Sequence, residues 1–389
     1  MHCLYLAEDY IGSKVHHQLC AAIDEQNQGT MTLFAVRRRN GKTKDLTTMY
    51  APVHYSTFIA DLTSSHLKYK YFFKHKIKVK EQLLLSKTDI KQYDLIHAAT
   101  LFSEGALAFS LFKKYNIPYC VSVRGSDINF YFKKMPHLWL LGKEILKNAK
   151  SVIFISPYSQ KKLFKIKFLK PILKNLSAKS VIIPNGIEDF WHQNLFTPQE
   201  MKNPYSLLYV GRFDKNKNIL SLIEAVRRLR SEKPELQLTL IGGKGSKERK
   251  VLDLVKKYDW LHYKGEIYKH EELLLHYRQH HIFSMVSHSE TFGLVYLEAL
   301  SQGVPVIYTA EQGFDGIFKE LEIGYGVDSK NIQNIMENIQ KVIENYHFLQ
   351  KNIANIPFSQ FEWKNIAMQY NDLYKSILSE KMCTFAHCS

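Results

Sequence analysis

Short apolar runs recur along the chain, each ending in small or turn-forming residues and followed by a stretch of helix-forming composition. The first half carries such runs at residues 1–7, 32–36, 94–98, 117–123, 151–155 and 181–183. The second carries them at 206–210, 236–241, 282–286 and 304–307. Runs of this length bounded by turn signals predict buried strands. The intervening segments, among them 14–25, the stretch ending near Tyr115 and that ending near Arg230, predict helices. Two further helices are predicted at 332–346 and 363–379. Strands alternating with helices give an α/β chain built on parallel sheets.

One βαβ unit, residues 281–309, is the most informative. Its strands flank a segment from Phe292 to Gln302, and Gly303 follows as a C-terminal stop. Leu294, Val295, Leu297, Ala299 and Leu300 make this helix apolar almost all round, yet Glu298 sits in its middle and Glu290 just before it. A buried carboxylate is costly unless something hydrogen-bonds it. The free N–H groups around Phe292, Gly293 and Leu294, with the positive end of the helix dipole, suit a phosphate. A diphosphate there, with one hydroxylated group on Glu290 and another on Glu298, is the layout of a nucleotide-sugar. Two other roles fit the same residues. Ser287 and Glu290 match a capping box, and Glu298 can pair with a lysine or arginine.

Length and charge add to this picture. At 389 residues the chain is too long for one typical core, so two domains are expected. No stretch approaches the ~20 uninterrupted apolar residues of a membrane-spanning helix, and the first ten residues read as a strand rather than a signal peptide. The five cysteines are scattered without metal-type pairing, as in a reduced, cytoplasmic chain. Residues 1–190 hold 29 Lys and Arg against 14 Asp and Glu, a net +15, while the remainder holds 24 against 23, a net +1. The N-terminal half therefore faces an anionic partner. Lysines alternate with aromatic and aliphatic residues at 67–80 and again at 161–174. We read these stretches as membrane-surface patches, with aromatics in the interface and lysines on anionic headgroups. The other reading is a solvated face with lysine stems lying over apolar surface. No nucleic-acid-binding motif accompanies them, and no nucleic acid is expected as a partner.

Two glutamates with seven residues between them, Glu290 with Phe-Gly-Leu after Thr291 and Glu298 followed by Ala-Leu, resemble the signature of retaining glycosyltransferases of family 4. Further segments extend the resemblance over nearly the whole chain. They are Gly12 at a strand-to-helix turn, Arg124-Gly-Ser-Asp127, Pro184-Asn-Gly-Ile, and Gly211-Arg212 with Lys217. The resemblance implies the GT-B fold, two Rossmann-like parallel-sheet domains facing across a cleft. The N-terminal acceptor-binding domain would span 1–190, joined by the returning helix at 363–389, and the donor-binding domain 191–362. It implies that Glu290 contacts the donor sugar and Glu298 the ribose. Arg212 and Lys217 would grip the diphosphate, and Gly211, Phe292, Gly293 and Leu294 would lie against the donor, with Gly12 beside donor and acceptor. Glu290, Arg212 and Lys217 are the expected catalytic set. Arg124, Asp127 and Tyr158 are expected on the acceptor side. Arg124 stands where the family has histidine; arginine cannot act as a base, but it can hold a phosphate or carboxylate. No metal site and no cofactor are expected, with a UDP-sugar as co-substrate. The acceptor implied is a glycan or lipid-linked glycan, at the inner face of a membrane. Two other classes remain open, a GT-B nucleotide-sugar epimerase and a basic nucleic-acid-binding protein.

Overall fold

A computed structural model describes residues 1–8, 10, 13–27, 31–38, 55–62, 72–196, 206–319 and 321–386. Gly12, part of the basic turn at 37–42 and the first residues of the 67–80 stretch lie outside these. The chain divides into two compact units. One comprises Met1–Ile155, Ser159–Gly186 and Trp363–Ser389, the other Ser156–Tyr158 and Ile187–Glu362.

The first unit is built on seven strands: β1 (Cys3–Leu6), β2 (Met31–Arg38), β3 (Ser56–Leu62), β4 (Leu95–Ala98), β5 (Tyr119–Val123), β6 (Ser151–Phe154) and β7 (Ser180–Ile182). They pair in the order β3-β2-β1-β4-β5-β6-β7, and every pair is parallel. Strand residues alternate between two cores, one on each face. In β1, Leu4 and Leu6 join one core, while Cys3 and Tyr5 join the other. A parallel sheet covered on both faces needs apolar residues at consecutive positions, which is why these runs are continuous rather than alternating. The helix Trp363–Ala386 supplies Trp363, Ile366, Tyr370 and Tyr374 to the second core. It lies on the helix Lys14–Asn27, where Asn371 Nδ2 donates to Gln26 Oε1 at 2.9 Å.

The second unit carries β8 (Ser206–Arg212), β9 (Gln237–Gly243), β10 (Leu261–Tyr263), β11 (Ile282–Ser284), β12 (Val306–Thr309) and β13 (Gly324–Val327). Their order is β10-β9-β8-β11-β12-β13, again all parallel. In each unit the strand order reverses beside the first strand, between β1 and β4 and between β8 and β11. Ligands of open α/β sheets bind in the crevice beyond the carboxyl ends of the strands at such a point.

The lysine-rich stretches differ from the expectation. Residues 73–85 form a helix whose buried face is Phe73, Lys76, Ile77, Lys80, Glu81 and Leu84. Lys76 and Lys80 therefore point inward, at helical spacing. Lys76 Nζ lies 2.9 Å from Glu8 Oε2, and Lys80 Nζ lies 2.8 Å from the same oxygen and 3.3 Å from Glu104 Oε1. Only Lys74, His75 and Lys78 of this helix's basic residues face water, next to Phe72, which is 63% exposed. At 161–174, Phe164 and Phe168 pack against the core, Phe164 against Phe154 and Phe168 against Trp139, while Lys161, Lys165, Lys167 and Lys170 are exposed. The aromatics of that stretch face the domain interior, the reading set against an interfacial patch. At the expected domain boundary near residue 190, Asp189–Gln193 is helical and Trp191 is buried.

Candidate functional site

The helix expected from Phe292 begins at Leu294 and ends at Ser301. The cause is Gly293, which adopts φ 84°. A Cβ there would stand 2.5 Å from the Tyr296 ring, so only glycine admits this turn. Ser287 and Glu290 are consequently too far upstream to cap the helix, and the Ser287 hydroxyl, buried, has no hydrogen-bond partner. The turn leaves Glu290 outside the helix, on the loop beyond the carboxyl end of β11.

There Glu290 meets cations from the loop after β8. Lys217 Nζ donates to Glu290 Oε2 at 2.7 Å, with the two side chains 23% and 13% exposed. Asp214 organises the same loop by accepting from the Lys217 backbone N–H at 3.0 Å and lying 3.8 Å from Arg212 Nε. Arg212 ends β8 and leaves most of its side chain in water. Beneath it, buried Tyr209 donates to the Arg212 carbonyl at 2.8 Å; burial, then Asp214 and Glu290, push its hydroxyl above its ordinary range. The structure thus brings together Gly211, Arg212, Lys217 and Glu290, residues separated by more than seventy positions, at the switch point of one sheet. Phe292 is buried behind them, and Gly293 and Leu294 open the helix. Glu298, half-buried on that helix, accepts from the hydroxyl of fully buried Tyr277 at 3.1 Å.

A cavity of about 440 Å³ opens beside Arg212, lined by Gly211, Gly242, Gly243, Lys244, Glu266, Ile267 and Tyr268 among others. Its floor depends on Gly242, φ 128°, where a Cβ would stand 2.0 Å from the Gly211 carbonyl oxygen. Lys244 Nζ joins Glu266 and donates to the Tyr268 hydroxyl at 2.8 Å, forming a polar rim. Hydrogen bonds to Glu266 and Tyr268 hold the Lys244 ammonium above its ordinary range. Lys244 and Tyr268 were missed in the sequence because neither belongs to a motif. The signal available was the glycine pair ending β9, which brings the backbone close to whatever fills the cavity.

The acceptor-side residues part company. Arg124 and Asp127 lie at the carboxyl end of β5 in the first unit. Asp127 is fully buried and accepts from the backbone N–H groups of Leu101, Phe102 and Arg124 at 3.1, 3.2 and 2.8 Å. Burial pushes its carboxyl up to about 7, against those three hydrogen bonds. Its carboxylate ties together the segments that follow β4 and β5. Tyr158 groups with the second unit, where burial, Glu311 and Asp315 raise its hydroxyl to about 12. Gly12 lies outside the described residues.

Two Rossmann-like parallel sheets, one bearing paired cations, a carboxylate and a helix N-terminus at its switch point, define the GT-B class of fold. Residues 17–189 match the family model described as Glycosyltransferase Family 4, and residues 193–356 that described as Glycosyl transferases group 1. The chain belongs to this glycosyltransferase family. Among its relatives is the GtfA subunit of a UDP-N-acetylglucosamine–peptide N-acetylglucosaminyltransferase of Streptococcus pneumoniae, 31% identical over 39% of this chain and 29% of the relative. Another is the alpha-monoglucosyldiacylglycerol synthase of Acholeplasma laidlawii, 25% identical over 58% of this chain and 61% of the relative. The chain thus spans under two thirds of the length of each. The solved sucrose-phosphate synthase of Thermosynechococcus elongatus superposes with a TM-score of 0.72 over 98% of this chain and 100% of that one, at 23% identity, and shares the fold.

Proposed function

We propose that the protein transfers a sugar from a nucleoside-diphosphate sugar, with UDP as the expected nucleotide, to a hydroxyl of a glycan or lipid-linked glycan, with retention of anomeric configuration. The observation that carries this reading is the Lys217–Glu290 pair beside Arg212, next to a cavity large enough for a nucleoside. The UDP-sugar named in the streptococcal relative and the glycolipid named in the Acholeplasma one support the substrate classes.

The chemistry follows from the groups present. Breaking the bond between the anomeric carbon and the diphosphate leaves negative charge on the phosphate. Fixed cations and free backbone N–H groups stabilise that charge as it develops. Lys217 and Arg212 supply the cations, and the start of the Leu294–Ser301 helix supplies the N–H groups. No metal is needed in this scheme. A diphosphate competing for Lys217 frees an oxygen of Glu290, which can then accept from sugar hydroxyls. Glu298, steadied by Tyr277, is placed for a ribose hydroxyl.

The test is an assay of UDP release from a panel of UDP-sugars with and without glycan and glycolipid acceptors, with the product linkage read by NMR. Acceptor-dependent UDP release with a retained anomeric configuration is expected. UDP-sugar turnover without any acceptor, giving a second UDP-sugar, would instead favour an epimerase.

A further inference from the structure

Arg124 carries a buried charge that no described acidic side chain answers. The residue is only 9% exposed. Its Nε donates to the Ala99 carbonyl at 3.3 Å and its Nη1 to Asn185 Oδ1 at 3.4 Å, both long and both to neutral groups. Its Nη2 is buried and has no hydrogen-bond partner among the described residues. The carboxylate nearest in sequence, Asp127, has committed its oxygens to three backbone N–H groups. The other titratable groups around the guanidinium are Tyr5, His16, His97 and Tyr370. All are neutral at physiological pH. Burial first, then the arginine itself, holds His16 down at about 3 and His97 well below its ordinary value.

An unpaired buried charge is strongly unfavourable, and arginine cannot escape by losing its proton. The guanidinium stands at the carboxyl ends of β4 and β5, next to the β1/β4 switch point, where α/β sheets take ligands. Its planar fork suits two-point contact with an oxyanion. We infer that Arg124 receives an oxyanion, a phosphate or a carboxylate, carried by the substrate that binds the first unit. Resting on the transfer reading above, this makes that substrate an acidic or phosphate-linked sugar rather than a neutral one.

The experiment uses the full chain saturated with UDP, so that phosphate has no claim on Arg212 and Lys217. Inorganic phosphate, glucuronate and glucose are titrated by calorimetry against wild type, Arg124→Gln and Arg124→Lys. The wild type is expected to bind phosphate or glucuronate at least tenfold more tightly than glucose, and the preferred anion tells phosphate from carboxylate. Arg124→Gln should lose that preference and Arg124→Lys should keep part of it. Thermal unfolding without anion separates binding from bracing. Removing an unanswered charge should leave the midpoint unchanged or raise it, whereas a structural brace to Ala99 and Asn185 would lower it. Anion affinity equal in wild type and Arg124→Gln, or no anion preference in the wild type, overturns the inference. UDP affinity reads the transfer proposal separately, since no variant here touches the second unit.

Discussion

At the residue scale, Glu290 and Lys217 hold one another, and in the proposed transfer each takes a different task once a donor arrives. The 2.7 Å pair keeps both side chains at the switch point without a substrate. Lys217 then shifts to phosphate and Glu290 to sugar, so their substitutions should separate in kinetics. Glu290→Gln preserves shape and removes only the charge; turnover should fall by roughly 10²–10³ while UDP affinity stays within a few-fold. Near-normal turnover in Glu290→Gln would reduce the residue to an anchor for Lys217. Lys217→Ala and Arg212→Ala should each weaken UDP binding, since a hydrogen bond to a charged group contributes about 1.5–3 kcal/mol. That corresponds to roughly 10- to 150-fold in Kd. Arg212, mostly in water, belongs at the lower end. Calorimetric titration with UDP on both variants decides it, and unchanged affinity in both would remove the diphosphate from this loop.

At the element scale, two short segments decide where these side chains stand. The Gly293 turn starts the helix two residues later than its composition suggests, and Gly293→Ala should both strain the backbone and push on Tyr296. The left-handed conformation alone costs about 1–2 kcal/mol for a residue with a Cβ. Urea unfolding should show at least that loss, and UDP turnover should fall with it; a variant as stable as wild type would show that this turn is not under constraint. The second segment is Phe73–Leu85, whose Lys76 and Lys80 meet Glu8 and Glu104 inside the first unit. Burial by itself would raise the Glu8 carboxyl, but Lys80 and Lys76 outweigh it and hold it well below the carboxylate range. A depressed acid contributes stability above its unfolded value near 4.3, and that stability is lost as pH falls through it toward the folded value. Lys80→Met should therefore cost about 3–5 kcal/mol at neutral pH by stranding buried carboxylates, and less at pH ~3.5. A loss independent of pH would point to packing alone. These two segments also show what was legible. Ten of the thirteen described strands were clear because a sheet covered on both faces leaves continuous apolar runs, whereas the edge strands β3, β10 and β13 were not read. Glu290 and Glu298 were clear as carboxylates before and within an apolar helix, and Arg212 and Lys217 through the resemblance to the family's motif. The inward lysines were not, because their partners are Glu8, some seventy residues upstream, and Glu104, which no local pattern links to them. The helical start at Leu294 was hidden because a backbone angle at glycine, rather than side-chain composition, sets it.

At the scale of the whole molecule, charge is distributed unevenly, with +15 over residues 1–190 and +1 over the rest. Among the described residues no helix is long and apolar enough to cross a membrane. We propose that the first unit instead docks on an anionic membrane surface, where a lipid-linked acceptor would be presented. The face available for this is narrower than the lysine content suggests. Lys76 and Lys80 are committed to buried carboxylates, and Phe164 and Phe168 to the core. Exposed residues suited to this contact are Phe72 at 63% and Leu140 at 70%, together with Phe130, Lys74, Lys78, Lys133 and Lys134. Phe73 packs on Tyr131, and Tyr131 on Phe130, so the two ends of this set are joined through one aromatic cluster. Each lysine near an anionic surface contributes about 1 kcal/mol, so four acting together suffice for reversible attachment. Vesicle sedimentation tests this with neutral and anionic vesicles at low and high salt. Binding should be confined to anionic vesicles and should fall as salt shortens the screening length below about 10 Å. Changing Lys74, Lys78, Lys133 and Lys134 together to Glu should abolish it. Changing Phe72 and Leu140 to Ser should remove only the part that survives high salt, because apolar insertion is not screened. The four lysines lie on the surface, so the variant should unfold in urea as the wild type does, which separates lost docking from lost fold. Equal sedimentation with neutral and anionic vesicles, or full binding by the four-glutamate variant, would leave the +15 charge to a soluble acidic acceptor and take the membrane out of the mechanism.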